Sequence, residues 1–214
     1  MKNDISQKLE MDFLQLKESW IFDDPCLGEE KIWGDLRGYI HILYSWSKKM
    51  NLVGLNDMDV FATKHLWRAL AMLPQIQSVS HQTIIDVGSG AGLPAIPLKI
   101  CLPNSHFYLL ESRRKRANFL REVIRGLGLK NIDVINERAE DWNDDVVGDI
   151  VTARAVANPV EIRSWVRGHA ASSGWLVCTL EKNGLGDVEI GKEVHCEWGG
   201  ETMRLGVISL TCEQ

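Results

Sequence analysis

The sequence predicts an α/β fold: a doubly wound, largely parallel sheet, preceded by a helical N-terminal extension and closed by a C-terminal antiparallel hairpin. Three observations point to it. Apolar stripes at three- and four-residue steps fill the first third of the chain. From residue 83 onward short apolar runs alternate with helical patterns, the signature of a sheet covered by helices on both faces. The first of those runs ends in Asp86-Val87-Gly88-Ser89-Gly90-Ala91-Gly92-Leu93, an acid followed by glycines at alternate positions.

The elements follow in order. Ile5, Leu9, Phe13, Leu16 and Trp20 make a first helical stripe, which Asp23-Asp24-Pro25 breaks. Ile32, Leu36, Tyr39, Ile40, Leu43 and Trp46 make a second. A third helix, capped by Asn56-Asp57, carries Phe61, His65, Leu66, Ala69, Leu70 and Leu73 on one face and ends at Pro74. Thr83 to Val87 is the first strand, and Pro94 and Pro97 delay the helix after it, because proline fits only near a first turn. Phe107 to Leu110 is the second strand. The basic helix after it buries Ala117, Leu120, Ile124 and Leu127 and ends at Gly126 or Gly128. Ile132 to Ile135 and Asp149 to Ala153 are the third and fourth strands. A helix from Pro159 to His169 leads to a fifth strand, Trp175 to Leu180. Val194 to Trp198 and Met203 to Leu210 flank Gly199-Gly200 as a hairpin. Two regions are expected, a helical extension over residues 1–75 and a ligand-binding domain over 76–214.

Bulk properties narrow the function. With 214 residues the chain can bury one sizeable core. No run approaches the ~18 apolar residues of a membrane span, and the charged N-terminus does not read as a secretory signal. Cys26, Cys101, Cys178, Cys196 and Cys212 are odd in number and widely spaced, which fits a reducing, cytoplasmic compartment rather than disulfides or zinc. The six histidines form no metal-ligand pair, so no metal is expected. Net charge is −5, yet Arg113, Arg114, Lys115, Arg116, Arg121 and Arg125 face only Glu122 within their stretch. Such a patch either holds nucleic-acid phosphate or is a solvated helix face.

In a doubly wound sheet ligands bind at the carboxyl ends of the strands, where the strand order reverses. Asp86 with Gly88, Gly90 and Gly92, then Glu111, then Asn136 to Glu140, then Thr152 to Arg154 all fall at expected carboxyl ends. Glycines admit a close-lying ligand, and the following helix presents free N–H groups to it. Glu111 can accept both ribose hydroxyls of a nucleoside. The spacing is G-x-G-x-G, whereas the dinucleotide fingerprint is G-x-G-x-x-G. An acid beside the turn would repel a pyrophosphate but favours the sulfonium and amino group of S-adenosylmethionine. Glycines serving geometry alone are the plainer alternative. Ala139 and Glu140 sit where a base would lie; Arg154, at the end of an apolar strand, needs a carboxylate or anionic ligand as partner.

Ile85 to Leu98, with its L-P-x-I-P extension at Leu93-Pro94-Ala95-Ile96-Pro97, resembles the signature of the bacterial small-subunit ribosomal RNA methyltransferase G family, also called glucose-inhibited division protein B. Trp46 to Leu52 resembles its W-N-x-x-x-N-L segment and Lys64-His65 its R-H pair. Leu109 to Leu120 resembles its L-L-D-S-x-x-K-R-x-x-F-L, and Thr152-Ala153-Arg154-Ala155 its S/T-x-R-A. The resemblance implies a class I methyltransferase (Rossmann-like) that uses S-adenosylmethionine to methylate guanine N7 in 16S ribosomal RNA. It implies cofactor contacts at Gly88, Leu93, Glu111, Ala139, Glu140 and Arg154. RNA contacts are expected at Asn51, Lys64, His65, Arg113, Arg114, Lys115 and Arg116. Arg68 stands where the family has an acid, and Lys182 is displaced by one from its L-K-G. A small-molecule or protein methyltransferase and a nonenzymatic nucleotide-binding module are the alternatives. No acid–base pair stands out, as expected if transfer rests on orientation alone.

Overall fold

A computed structural model of the chain describes residues 2–20, 25–180 and 191–210. The apolar run at Thr83–Val87 forms β1, buried from Ile84 onward and flanked by β2 (His106–Leu110) and β4 (Gly148–Ala153), both parallel to it. With β3 (Ile132–Ile135), β5 (Ala170–Thr179), β6 (Lys192–Trp198) and β7 (Glu201–Ser209), they make one seven-stranded sheet in the order β3-β2-β1-β4-β5-β7-β6. β1 to β5 run parallel; β7 is antiparallel to both β5 and β6. The expected hairpin is therefore present, and its later strand inserts beside β5. The chain winds outward from β1 to β3, then returns to begin β4 on the other side of β1. That reversal opens a crevice at the carboxyl ends of β1 and β4.

The helices form where the stripes predict, with informative departures. α1 is Lys2–Glu18 and α2 is Glu30–Ser47, which buries Ile32, Leu36, Tyr39, Ile40 and Leu43. Asp23-Asp24 lies outside the described residues, and Pro25 opens a 3-10 turn. The expected third helix is instead a 3-10 segment (Leu55–Val60), a π-helical turn (Ala62–Leu66) and a short α3 (Trp67–Leu70). Pro74 does not end it. It sits in the first turn of α4 (Leu73–Gln77), where its missing N–H would have had no partner in any case. Asp57 is not a helix cap; Gly54 precedes the 3-10 segment, and the Asp57 carboxylate bonds Lys64 instead.

α5 is Ala95–Cys101, starting after Pro94 as the prolines require. α6 (Arg114–Leu127) ends at Gly128, whose φ of +63° is the left-handed cap that glycine adopts freely. It buries Ala117, Phe119, Leu120 and Val123, while Ile124 and Leu127 are only half-buried, because the covered face is rotated by about one residue from the expected stripe. α7 (Pro159–Trp165) begins on a capping box between Asn158 and Glu161 and stops short of His169, which lies in a 3-10 turn. β5 starts at Ala170, before the apolar run, because its first residues pair with Gly148.

One apolar cluster runs from Leu9, Phe13 and Leu16 of α1 through α2 and α3 to Ile84, Phe107, Phe119, Val177 and Leu205. The helical extension thus shares its core with one face of the sheet. Arg68 bonds Glu201 in the β6–β7 hairpin, and Trp67 packs on Trp198, so the extension also grips the far edge. No described helix is long and apolar enough to cross a membrane.

Candidate functional site

The crevice at the end of β1 and β4 holds a cavity of about 540 Å³, within the range of small-molecule sites. Gly88, Ser89, Gly90, Ala91 and Leu93 of the turn, Glu111, Ser112, Arg113 and Arg116 after β2, and Arg154, Ala155 and Val156 after β4 form one side. The N-terminal extension supplies the other: Leu52, Val53, Gly54, Asp57 and His65. Two hydrogen bonds hold that wall in place. Tyr39 Oη donates to the Ala91 carbonyl at 2.7 Å, and Arg154 Nη1 donates to the His65 carbonyl at 3.2 Å.

The glycines divide the labour. Gly88, Gly90 and Gly92 have φ of +68°, +55° and +87°, values that L side chains rarely adopt. A Cβ at Gly92 would meet Ile96 at 2.6 Å and Leu120 at 3.3 Å, so this glycine lets the turn pack on α5 and α6 and does not line the cavity. A Cβ at Gly90 would meet nothing nearer than 3.6 Å and would project toward Arg116 and Glu111, into the space a ligand needs. At Gly88 it would strike Val156 at 2.7 Å.

The acids are set differently. Asp86 is fully buried. One oxygen accepts from Thr152 Oγ1 at 2.6 Å; the other, Oδ2, is buried with no partner among the described residues. Burial pushes its carboxyl up to about 6, with the Ser89 and Thr152 hydroxyls and the Arg154 charge pulling the other way. A buried carboxylate lacking a partner is costly, and a cationic group brought to the turn would relieve that cost. Glu111 is buried and accepts from the Gly90 N–H at 2.9 Å and the Arg113 N–H at 2.7 Å. It therefore holds the glycine turn and starts α6 with one carboxylate, and each oxygen keeps a lone pair for a ribose hydroxyl. The orphaned Asp86 oxygen, the space over Gly90 and the aimed Glu111 carboxylate fit S-adenosylmethionine.

Arg154 is half-buried; its hydrogen bond within the described residues goes to a backbone carbonyl, where the sequence led to the expectation of a carboxylate or an anionic ligand. Burial lowers its pKa, and the nearby Asp86 charge works against that shift. His65, packed on the Phe61 ring, has a pKa lowered to about 4 by burial and then by Arg154, so it is neutral at physiological pH. Its Nε2 is buried without a partner among the described residues.

Other expected residues fall outside the cavity lining. Ala139 is buried beside Trp142 on the loop after β3, and Glu140 is exposed and pairs with Arg138 at 3.3 Å. Asn51 is exposed one residue before the wall, and Lys64 lies behind Asp57, bonded to it at 2.6 Å. Arg114 and Lys115 are exposed on the first turn of α6, beside Arg113 and Arg116 at the cavity. Lys182 lies outside the described residues. Val53, Gly54, Asp57, Ala155 and Val156 were not expected at the site. Only Asp57 carried a signal, and its position ahead of an apolar stripe read as a cap.

The family model of rRNA small subunit methyltransferase G matches residues 33–182. The chain belongs to this family. It is 39% identical over 139 residues to ribosomal RNA small subunit methyltransferase G of Neisseria meningitidis serogroup C, covering 65% of this chain and 65% of that protein. The Legionella pneumophila protein of the same name is 40% identical over 145 residues, covering 67% and 68%. The Aeromonas salmonicida protein of that name is 39% identical over 126 residues, covering 59% of each chain. The match thus takes in about three fifths to two thirds of these relatives' lengths. Among solved structures, a SAM dependent methyltransferase from Aquifex aeolicus superposes with a TM-score of 0.52 at 17% identity, covering 69% of this chain and 93% of that one. A precorrin-6y C5,15-methyltransferase from Geobacter metallireducens does so with 0.51 at 16% identity, covering 75% and 92%. These two show the shared class I fold.

Proposed function

We propose that this protein transfers a methyl group from S-adenosylmethionine to N7 of a guanine in 16S ribosomal RNA of the small subunit, in the cytoplasm. One observation carries the reading: every residue lining the cavity, from Leu52 to Val156, falls within the stretch matched by the family model. Bound S-adenosylmethionine supplies an electrophilic methyl on a positively charged sulfur. Glu111 accepts the ribose hydroxyls, Asp86 places negative charge beneath the turn, and Gly90 leaves room for close approach. Guanine N7 has a free lone pair and no proton, so attack on the methyl carbon needs no general base. The chain's task is then to align N7, methyl carbon and sulfur. The cavity suits that task, with neutral His65 and cationic Arg154 in place of a paired acid and base. Arg113 to Arg116 would hold RNA by its phosphates. The test is label transfer from methyl-tritiated S-adenosylmethionine to small-subunit RNA, followed by nucleoside analysis. Label in 7-methylguanosine supports the reading; label in protein or small molecules, or binding without transfer, replaces it.

A further inference from the structure

The wall supplied by the N-terminal extension carries one member of a charged pair, Asp57, whose partner Lys64 stands just outside the lining. Asp57 lines the cavity opposite Gly88 and Arg154. Its Oδ1 accepts from Lys64 Nζ at 2.6 Å, and its Oδ2 makes no hydrogen bond among the described residues. Both side chains are reachable, Lys64 being 42% and Asp57 37% exposed. The hydrogen bond and charge of Lys64 hold the Asp57 carboxyl below the usual carboxylate range. The apolar side chains of Leu52, Val53 and Val156 line the same space, suited to the faces of a planar ring.

We propose that Asp57, held in place by Lys64, reads the Watson–Crick edge of the acceptor base and selects guanine. This rests on the guanine-methyltransferase reading above. Guanine presents O6 as acceptor beside N1–H and N2–H as donors. A carboxylate is the complement of the two donors: Asp57 accepts from N1–H and N2–H, and Lys64, bonded to its Oδ1, fixes the carboxylate in place. Adenine offers an acceptor at N1 and no amino group at C2, so the carboxylate finds no donor there. N7 lies on the adjoining Hoogsteen edge, which this grip leaves free to face the glycine turn. Asp57 and Lys64 are seven residues apart. The 3-10 segment and the π-helical turn between them bring both ends together, and irregular helix of that kind is frequent at functional sites.

The experiment titrates guanosine, inosine and adenosine 5′-monophosphates into the protein saturated with S-adenosylhomocysteine. Wild type, Asp57→Asn and Lys64→Met are compared, with a melting curve for each, and methyl transfer to small-subunit RNA is measured in parallel. Inosine lacks only the N2 amino group. Wild type should bind the guanosine nucleotide about tenfold or more tightly than the inosine one, the loss expected when a charged acceptor is left unpaired. Asp57→Asn should remove most of that ratio while its affinity for S-adenosylhomocysteine stays unchanged. Lys64→Met removes the hold on that carboxylate and should weaken guanosine and inosine nucleotides alike, because both donate N1–H. Equal binding of the guanosine and inosine nucleotides by wild type, or an unchanged ratio in Asp57→Asn, overturns the assignment while RNA methylation persists. Absence of methyl transfer by wild type overturns the functional reading, and the assignment falls with it.

Discussion

Arg154 at the carboxyl end of β4 donates to the main-chain carbonyl of His65, 89 residues earlier in the chain. The bond ties the β4 side of the cavity to the wall built by the N-terminal extension. A guanidinium has five donors in a fixed fork, so it can keep this bond while presenting others to a ligand; an ammonium has neither the reach nor the plane. Arg154→Lys should therefore lower single-turnover methyl transfer by roughly tenfold or more, the scale of one charged hydrogen bond, with little change in melting temperature. If both Arg154→Lys and Arg154→Ala instead melt early and retain wild-type transfer per folded molecule, Arg154 is a structural tie only.

The glycine turn should separate affinity from stability. Gly90→Val places a branched side chain at φ +55° over the space facing Glu111 and Arg116; calorimetry should show S-adenosylmethionine affinity down at least about tenfold. Gly92→Ala drives a Cβ to 2.6 Å from Ile96, and overpacking of this kind costs about 1–3 kcal/mol. It should lower the melting temperature by several degrees and leave the affinity of the folded protein near wild type. The opposite pattern would exchange the two roles.

Asp86 gives the site a pH dependence. Its carboxyl is raised from 3.8 to about 6, chiefly by burial. An acid whose folded pKa is raised supports stability below its unfolded pKa and loses that support as pH climbs through the folded value. The ligand-free protein should therefore lose stability from this group between about pH 4 and pH 6, on the order of 3 kcal/mol at 1.36 kcal/mol per unit. A cationic ligand favours the ionised form, so cofactor affinity should rise as pH increases through about 6. Asp86→Asn should flatten both profiles. A pH-independent affinity in wild type would remove Asp86 from the cofactor's field.

Much of this was legible in the sequence because its signals are local. The run into Asp86 and the glycine spacing state backbone requirements that the structure meets as a buried strand and three left-handed glycines, although Gly92 packs on α5 and α6 rather than lining the cavity, and of Gly126 and Gly128 it is Gly128 that caps α6. The third helix was misread because an apolar stripe fixes which side is buried without fixing the winding, so 3-10, π and α turns over Leu55–Leu70 look alike in sequence. The partner of Arg154 was illegible for another reason. It is a backbone carbonyl from a distant segment, and carbonyls leave no trace in residue type. Asp57 likewise becomes a cavity residue only when the extension folds across the crevice.

The basic turn of α6 should govern RNA affinity through counterion release. Each phosphate neutralised on a single strand contributes about −0.7 to the slope of log affinity against log salt. Arg113→Ala with Arg114→Ala should flatten that slope by up to about 1.4. An identical slope in wild type and the double variant would make this turn a solvated face.

Methylation of guanine N7 in small-subunit RNA by the cavity between the glycine turn and the N-terminal wall is tested by tritium transfer from S-adenosylmethionine to small subunits carrying unmethylated 16S RNA, with the RNA digested and its nucleosides separated. Label is expected in 7-methylguanosine with wild type, and little or none with Gly90→Val. Label in any other nucleoside, or none in RNA with a folded, cofactor-saturated protein, would contradict it.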